Sequence, residues 1–204
     1  GYRELFIRDR SRLSPLTVVQ CMNNAPAAHI AQKFNVGGTC FTYSTACASG
    51  AAAIADGVRR VRSGEADLVL AGGCEAALPF GIVKAWQSMR VLAAATDESS
   101  ARAACRPFAA DRAGMVLGEG AAVLVLEELS RAQARGATIY AEVAGLGTSC
   151  DPGHITSTAA SGQIRAMRAA LHDAGANADE VDYVNAHGTA MSEGDVVEIG
   201  ALVQ

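Results

Sequence analysis

Apolar and polar positions along the chain switch repeatedly between helical and strand-like spacing. Residues 15–34 carry helical spacing, interrupted near Asn24-Ala25-Pro26, where proline cannot continue the helical hydrogen bonding. Residues 39–45 are short and partly alternating, which predicts a strand. Residues 48–62 predict a helix with Ala51, Ile54, Ala55, Val58 and Val61 on one face. Arg59, Arg60 and Arg62 fall largely off that face and read as a solvated rim. Residues 68–71 predict a buried strand running into Gly72-Gly73, and residues 80–89 a helix. Residues 121–127 form a continuous apolar run, hence a strand, followed by a helix over 128–135 closed by Gly136. Residues 140–147 predict a further strand. Ile164, Met167, Arg168 and Leu171 mark a helix ended by Gly175, and residues 181–184 a short strand entering a loop. This strand–helix alternation predicts an α/β layered fold with fully buried strands.

Composition adds bounds to this pattern. Half of the 204 residues are hydrophobic and 19% are charged, enough for a core and too apolar for disorder. The chain has 42 Ala and 21 Gly but only 5% aromatic residues, so its helices and strands are expected to approach closely. A net charge of −4 without runs of like charge argues against a dedicated nucleic-acid binder or an anionic-membrane binder. No apolar stretch reaches the ~18 residues of a membrane span. The first residue is not Met and the last seven read as an uncapped helix, so the chain is expected to be a piece of something longer.

The six cysteines are expected to be reduced, in a cytoplasmic setting, and mostly packed as small hydrophobes. No Cys-x-x-Cys pair occurs. Cys150 and His154 stand four apart but lack a second half, so no metal site is expected.

The most informative segment is Tyr43-Ser-Thr-Ala-Cys47-Ala-Ser-Gly50, which puts a cysteine between a strand end and the start of a small-residue helix. Unpaired backbone N–H groups and the positive end of the helix dipole favour a thiolate there, and the same N–H groups can receive an oxyanion. An inert buried cysteine is the alternative on spacing alone.

Thr45-Ala-Cys-Ala-Ser-Gly50 resembles the active-site segment of the β-ketoacyl-acyl-carrier-protein synthases, condensing enzymes of fatty-acid and polyketide synthesis in the thiolase superfamily. Further segments match in order: Ser14-Pro-Leu-Thr17 and Asn24-Ala-Pro-Ala-Ala28, Ala71-Gly-Gly-Cys-Glu-Ala76, Arg106-Pro-Phe108 with Asp111-Arg112, Gly118-Glu-Gly-Ala121, and Asp182-Tyr-Val-Asn-Ala-His-Gly-Thr189 with Asp195 and Glu198. The resemblance implies a thiolase-like fold of two α/β halves, each with a five-stranded mixed sheet sandwiching buried helices. Residues 1–136 would be the later part of the first half and residues 137–204 the start of the second.

By the same resemblance, Cys47 is similar to the nucleophile that takes an acyl chain from an acyl carrier protein. His187 is similar to the first of two histidines that bind the malonyl thioester oxygen. Glu198, with Asp195 three residues before it, matches an acid that pairs with an active-site lysine. Thr189, and His154 with Thr156, resemble groups along the phosphopantetheine arm. No cofactor is implied beyond that carrier-borne arm, since the β-carboxylate of malonate is already primed to leave, and no metal is implied. A dimer is expected, either of like subunits or with a chain-length-factor-like partner.

Several positions depart from the family pattern. Met191 and Ser192 stand where Thr and Pro are usual, and Ala109 where Asp usually follows Pro-Phe. Met115 and Met-Arg-Val-Leu at 89–92 resemble the nodulation-type synthases. The four histidines (29, 154, 172 and 187) and two lysines (33 and 84) include no candidate for the family's second histidine or its lysine. The chain alone is therefore expected to lack condensing activity. The alternatives are a non-condensing chain-length-factor-type partner, which usually lacks the cysteine, a thiolase, a Cys-His protease, or a piece with a purely structural role.

Overall fold

The computed structural model describes residues 6–8, 11–154 and 157–204. They fall into two compact units. One comprises the residues up to Cys74 together with Ala121–Gly136, the other Glu75–Gly120 with Ala137–Gln204.

In the first unit, α1 (Thr17–Cys21) and α2 (Ala25–Phe34) flank the predicted break, and Pro26 sits in the first turn of α2, where a missing N–H costs nothing. Asn35 ends α2 in the left-handed conformation at φ 51°, while the Val36 N–H donates back to Ala31 O at 2.9 Å. The helix α3 (Ser49–Arg62) lies on a sheet of two paired strands, β1 (Leu68–Ala76) and β2 (Glu119–Glu127), of which residues 68–74 and 121–127 belong to this unit. Glycine makes that approach possible. A Cβ on Gly57 would meet Leu126 Cδ1 at 2.9 Å, Val69 Cγ1 at 3.1 Å and Ala71 Cβ at 3.3 Å, whereas Gly50 lies against Gly73 with room for an ordinary contact, a Cβ there being 3.7 Å from Gly73 Cα. The short α6 (Leu129–Ala134) follows β2, and its Arg131 pairs with Asp67 at 3.0 Å.

The second unit holds α4 (Phe80–Ser88), α5 (Glu98–Arg102), α7 (Ala160–Ala174), a 3-10 turn at Ala178–Glu180, and α8 (Gly194–Leu202). Asp97 caps α5 by accepting the Ser100 N–H at 2.8 Å. Gly175 closes α7 at φ 64°, as its position in the sequence predicts. α7 packs against α8. It also contacts residues 145–151: Leu146 N–H donates to Asp173 at 2.8 Å, Ser149 Oγ donates to Gly162 O at 2.6 Å, and Arg165 lies 3.7 Å from Asp151. A side chain on Gly147 would run into the Ala166 carbonyl.

The structure corrects several expectations. Among the described residues the sheet has two strands, and residues 39–45, 140–147 and 181–184 are not strands, apart from an isolated bridge of Thr45 to Cys47. Apolar alternation reports that a run suits a sheet; it does not supply the neighbouring strand that a ladder needs. The strands are not fully buried either. Ala71 and Leu126 face α3 and are buried, whereas Val123, Leu124 and Val125 are about half exposed. All six cysteines are free and exposed, so they are not packed as small hydrophobes.

Among the described residues, no helix is long and apolar enough to cross a membrane.

Two glycines test this packing with opposite signs. Gly147→Ala is expected to destabilise the protein by about 1–3 kcal/mol, because a backbone carbonyl must shift. Gly200→Ala, inside α8 with nothing within 4 Å of a new Cβ, is expected to stabilise by about 0.5–1 kcal/mol. Urea unfolding measures both, and a Gly147→Ala protein as stable as the parent would disprove the close approach to α7.

Candidate active site

Cys47 stands one residue before Ala48, the residue that caps α3, in a tight turn. Ala46 adopts φ 50°, a left-handed conformation that costs an alanine about 1–2 kcal/mol. Ser49 braces the turn: its Oγ accepts the Thr45 N–H at 2.8 Å and donates to Ala46 O at 2.7 Å. Two such bonds contribute about 0.5–1.5 kcal/mol each, enough to offset the strain. Ala48 N–H donates to Thr45 O and Ser49 N–H to Ala46 O, which completes the turn. The Cys47 side chain is exposed at its apex.

A second brace reaches the segment leading into the turn. The Arg60 guanidinium lies over the Phe41 ring, 5.2 Å from its centroid, and bonds Asp56 at 2.5 Å as well as Glu65. The hydrogen bond from Arg60 holds the Asp56 carboxyl below its usual range, and Tyr43 adds to this by bonding Asp56. Burial is the larger cause pushing the Tyr43 phenol up. Arg60 is therefore not part of a solvated rim: it ties residues 41–43 to α3.

In the second unit, α8 presents two carboxylates, three residues apart, on one face. Glu198 accepts the His187 N–H at 2.6 Å and the Gly188 N–H at 2.9 Å. Asp195 is 2% exposed; its Oδ2 accepts the Phe108 N–H at 2.8 Å and lies 3.4 Å from Arg112 Nε. Asp195 Oδ1 has no hydrogen-bond partner among the described residues. Phe108 takes φ 65° and its ring packs on Gly188, where a Cβ would lie 3.0 Å from Phe108 Cε2. Gly188 itself has φ 47° and Ala190 φ 62°, so the loop turns sharply on both sides of Thr189.

His187, Thr189, Asp195 and Glu198 thus come together in one unit, and Cys47 belongs to the other. The His187 side chain is exposed and Thr189 is half-buried. His154 lies in the second unit, exposed, with its carbonyl accepting the Ser157 N–H at 2.9 Å. Thr156 lies outside the described residues. Among the described residues, no group of three or more His, Cys, Asp or Glu is placed to hold a metal.

Sequence reasoning assigned no role to Ser49, Tyr43, Phe108 or Arg112. Met115 and residues 89–92, linked in the sequence only by resemblance, are bonded in space: Met115 N–H donates to Val91 O at 2.8 Å and Ala93 N–H to Met115 O at 2.9 Å. Gly114, at φ 130°, permits that pairing.

Residues 2–132 match the family model "Beta-ketoacyl synthase, N-terminal domain" and residues 140–204 match "Beta-ketoacyl synthase, C-terminal domain". The chain is 45% identical over 202 residues to Nodulation protein E of Rhizobium sp. (strain N33), covering 99% of this chain and 48% of that protein. It is 38% identical over 204 residues to 3-oxoacyl-[acyl-carrier-protein] synthase 2 of Staphylococcus aureus, covering 99% of this chain and 50% of that one. The crystal structure of a beta-ketoacyl synthase from Burkholderia phymatum STM815 superposes with a TM-score of 0.88 at 38% identity, covering 98% of this chain and 48% of that one. The chain spans about half the length of the curated relatives it matches. With two consecutive family models matched and a thiolase-like ketosynthase fold, the chain belongs to the β-ketoacyl synthase family.

Proposed function

We propose that this chain carries the acyl-accepting cysteine and the first histidine of a condensing enzyme. The whole protein would join an acyl thioester held on Cys47 to malonyl-acyl carrier protein, giving 3-oxoacyl-acyl carrier protein. One observation carries the reading: Glu198 fixes the backbone of His187 and Gly188 through two charge-assisted bonds, leaving the exposed imidazole as the chemically active group of that loop.

The chemistry follows from the groups. The Cys47 sulfur attacks the incoming acyl carbonyl, and the pantetheine thiol leaves with a proton. Malonyl thioester then loses CO2, and the electrons of the broken C–C bond pass to the thioester oxygen as an enolate. His187 donates a hydrogen bond where that charge develops. The α-carbon attacks the acyl-Cys47 carbonyl, and the Cys47 sulfur leaves as the chain gains two carbons.

Thr189, with His154 and Thr156, lies along the pantetheine arm in this reading, while the Met191 thioether cannot donate to it. Asp195 and Glu198 support the His187 loop. Residues 1–136 close the first thiolase-like half and residues 137–204 open the second. The partner is an acyl carrier protein, the assembly a homodimer or a heterodimer with a chain-length-factor-like subunit, and the setting cytoplasmic. The acyl chain is of the nodulation type, a reading supported by Met115 and residues 89–92. A non-condensing partner subunit is disfavoured by Cys47.

Three outcomes are expected. All six cysteines are exposed, so exposure alone predicts uniform alkylation. The nucleophile reading instead predicts that iodoacetamide modifies Cys47 of the full-length protein at least about tenfold faster than the other five. Peptide mass spectrometry reads this, and equal rates would remove Cys47 from the mechanism. His187→Ala is expected to lower malonyl decarboxylation by about 10²–10⁴-fold while acyl transfer to Cys47 persists. The 204-residue chain assayed by itself is expected to form no 3-oxoacyl product, and sustained turnover by it would sink the reading.

A further inference from the structure

Arg112 reaches from the loop around Phe108 into the loop that follows His187, across 79 and 80 residues of sequence. Its Nε donates to Met191 O at 3.1 Å and its Nη2 to Ser192 O at 2.6 Å, while Nη1 donates to Ala109 O at 3.0 Å. Only 14% of its side chain is exposed, and its charge faces the buried carboxylate of Asp195. All of these residues lie in one unit.

The loop of residues 187–192 is consequently fixed at three places. Glu198 grips the amides at 187 and 188, Pro107 and Phe108 press on Gly188, and Arg112 grips the carbonyls at 191 and 192. Thr189 and Ala190 span the gap between the grips, and Ala190 is 2% exposed in a left-handed conformation. A planar guanidinium is suited to this task because its donors diverge at fixed angles toward separate carbonyls. An ammonium would satisfy the charge of Asp195 without reproducing that fork.

We propose that Arg112, oriented by Asp195, is a positioning residue for the malonyl half-reaction. It sets the placement of His187 and Thr189 by gripping the main chain just beyond them. The proposal rests on the roles of His187 and Thr189 given above. It separates the two half-reactions: Arg112 governs decarboxylation and leaves acyl transfer to Cys47, in the other unit, untouched.

The experiment uses the full-length protein and measures two rates separately, acyl transfer onto the cysteine and release of CO2 from malonyl-acyl carrier protein. Arg112→Lys keeps a cation opposite Asp195. It is expected to lower decarboxylation about ten- to a hundredfold, the scale of a small misplacement of a reacting group, with acyl transfer unchanged. Asp195→Asn keeps an acceptor for the Phe108 N–H and is expected to show the same selectivity with a smaller loss; it carries the test if the lysine variant does not fold. Parallel loss of both rates would reduce Arg112 to a merely structural role, and unchanged decarboxylation in both variants would overturn the proposal. His187→Ala run alongside separates the two ideas, since full decarboxylation there defeats the functional reading itself.

Discussion

The pair of carboxylates on α8 is the constraint on which the second unit depends. Asp195 and Glu198 sit three residues apart, so one helix face holds two loops that are far from each other in sequence. Glu198 takes two amides of the His187 loop, and Asp195 takes one amide of the Phe108 loop and faces Arg112. The resemblance to condensing enzymes implies a lysine partner for Glu198, but its two oxygens already do work in positioning the backbone. Removing Arg112 outright would leave a buried carboxylate uncompensated, a loss of about 3–5 kcal/mol by the usual cost of breaking such a pair. The geometry of the loop and the stability of the unit are therefore coupled through one helix.

The first unit depends on small residues instead. Gly57 lets α3 settle onto β1 and β2 more closely than a side chain would allow without a shift, and Ala55 and Val58 complete the buried face. That seating fixes where α3 lies on the sheet, while the turn that carries Cys47 is held by its own bonds. The composition of 42 Ala and 21 Gly finds a physical use here and again where Gly145 and Gly147 lie against α7.

Helices were legible in the sequence because their signals are local. Pro26 marks the start of α2, apolar spacing marks α3, and Gly175 marks the end of α7. The segments 39–45, 140–147 and 181–184 misled because strand character depends on a neighbour that no local pattern encodes. The same distinction runs through the site. Cys47 and His187 stood out because their side chains define motifs. Arg112 did not, since its acceptors are main-chain carbonyls, and any residue type at 191 and 192 supplies those. Arg60 was misread for a related reason: helical spacing set it off the apolar face, whereas its partners Phe41 and Glu65 lie outside the helix.

The two loops are held by different physical means, and this bears on how they tolerate change. The Cys47 turn is secured by short-range bonds, chiefly Ser49 Oγ to residues three and four positions before it, so its strain at Ala46 is offset within five residues. Such a turn forms as soon as α3 begins. The His187 loop carries comparable strain at Ala190, but its restraints come from Glu198, Phe108 and Arg112, which only tertiary packing delivers. A loop restrained locally keeps its shape when distant packing loosens; a loop restrained by tertiary contacts does not. On the proposed roles, the acylation half of the reaction is the robust one. The decarboxylation half is the one through which losses of packing elsewhere in the second unit reach the chemistry.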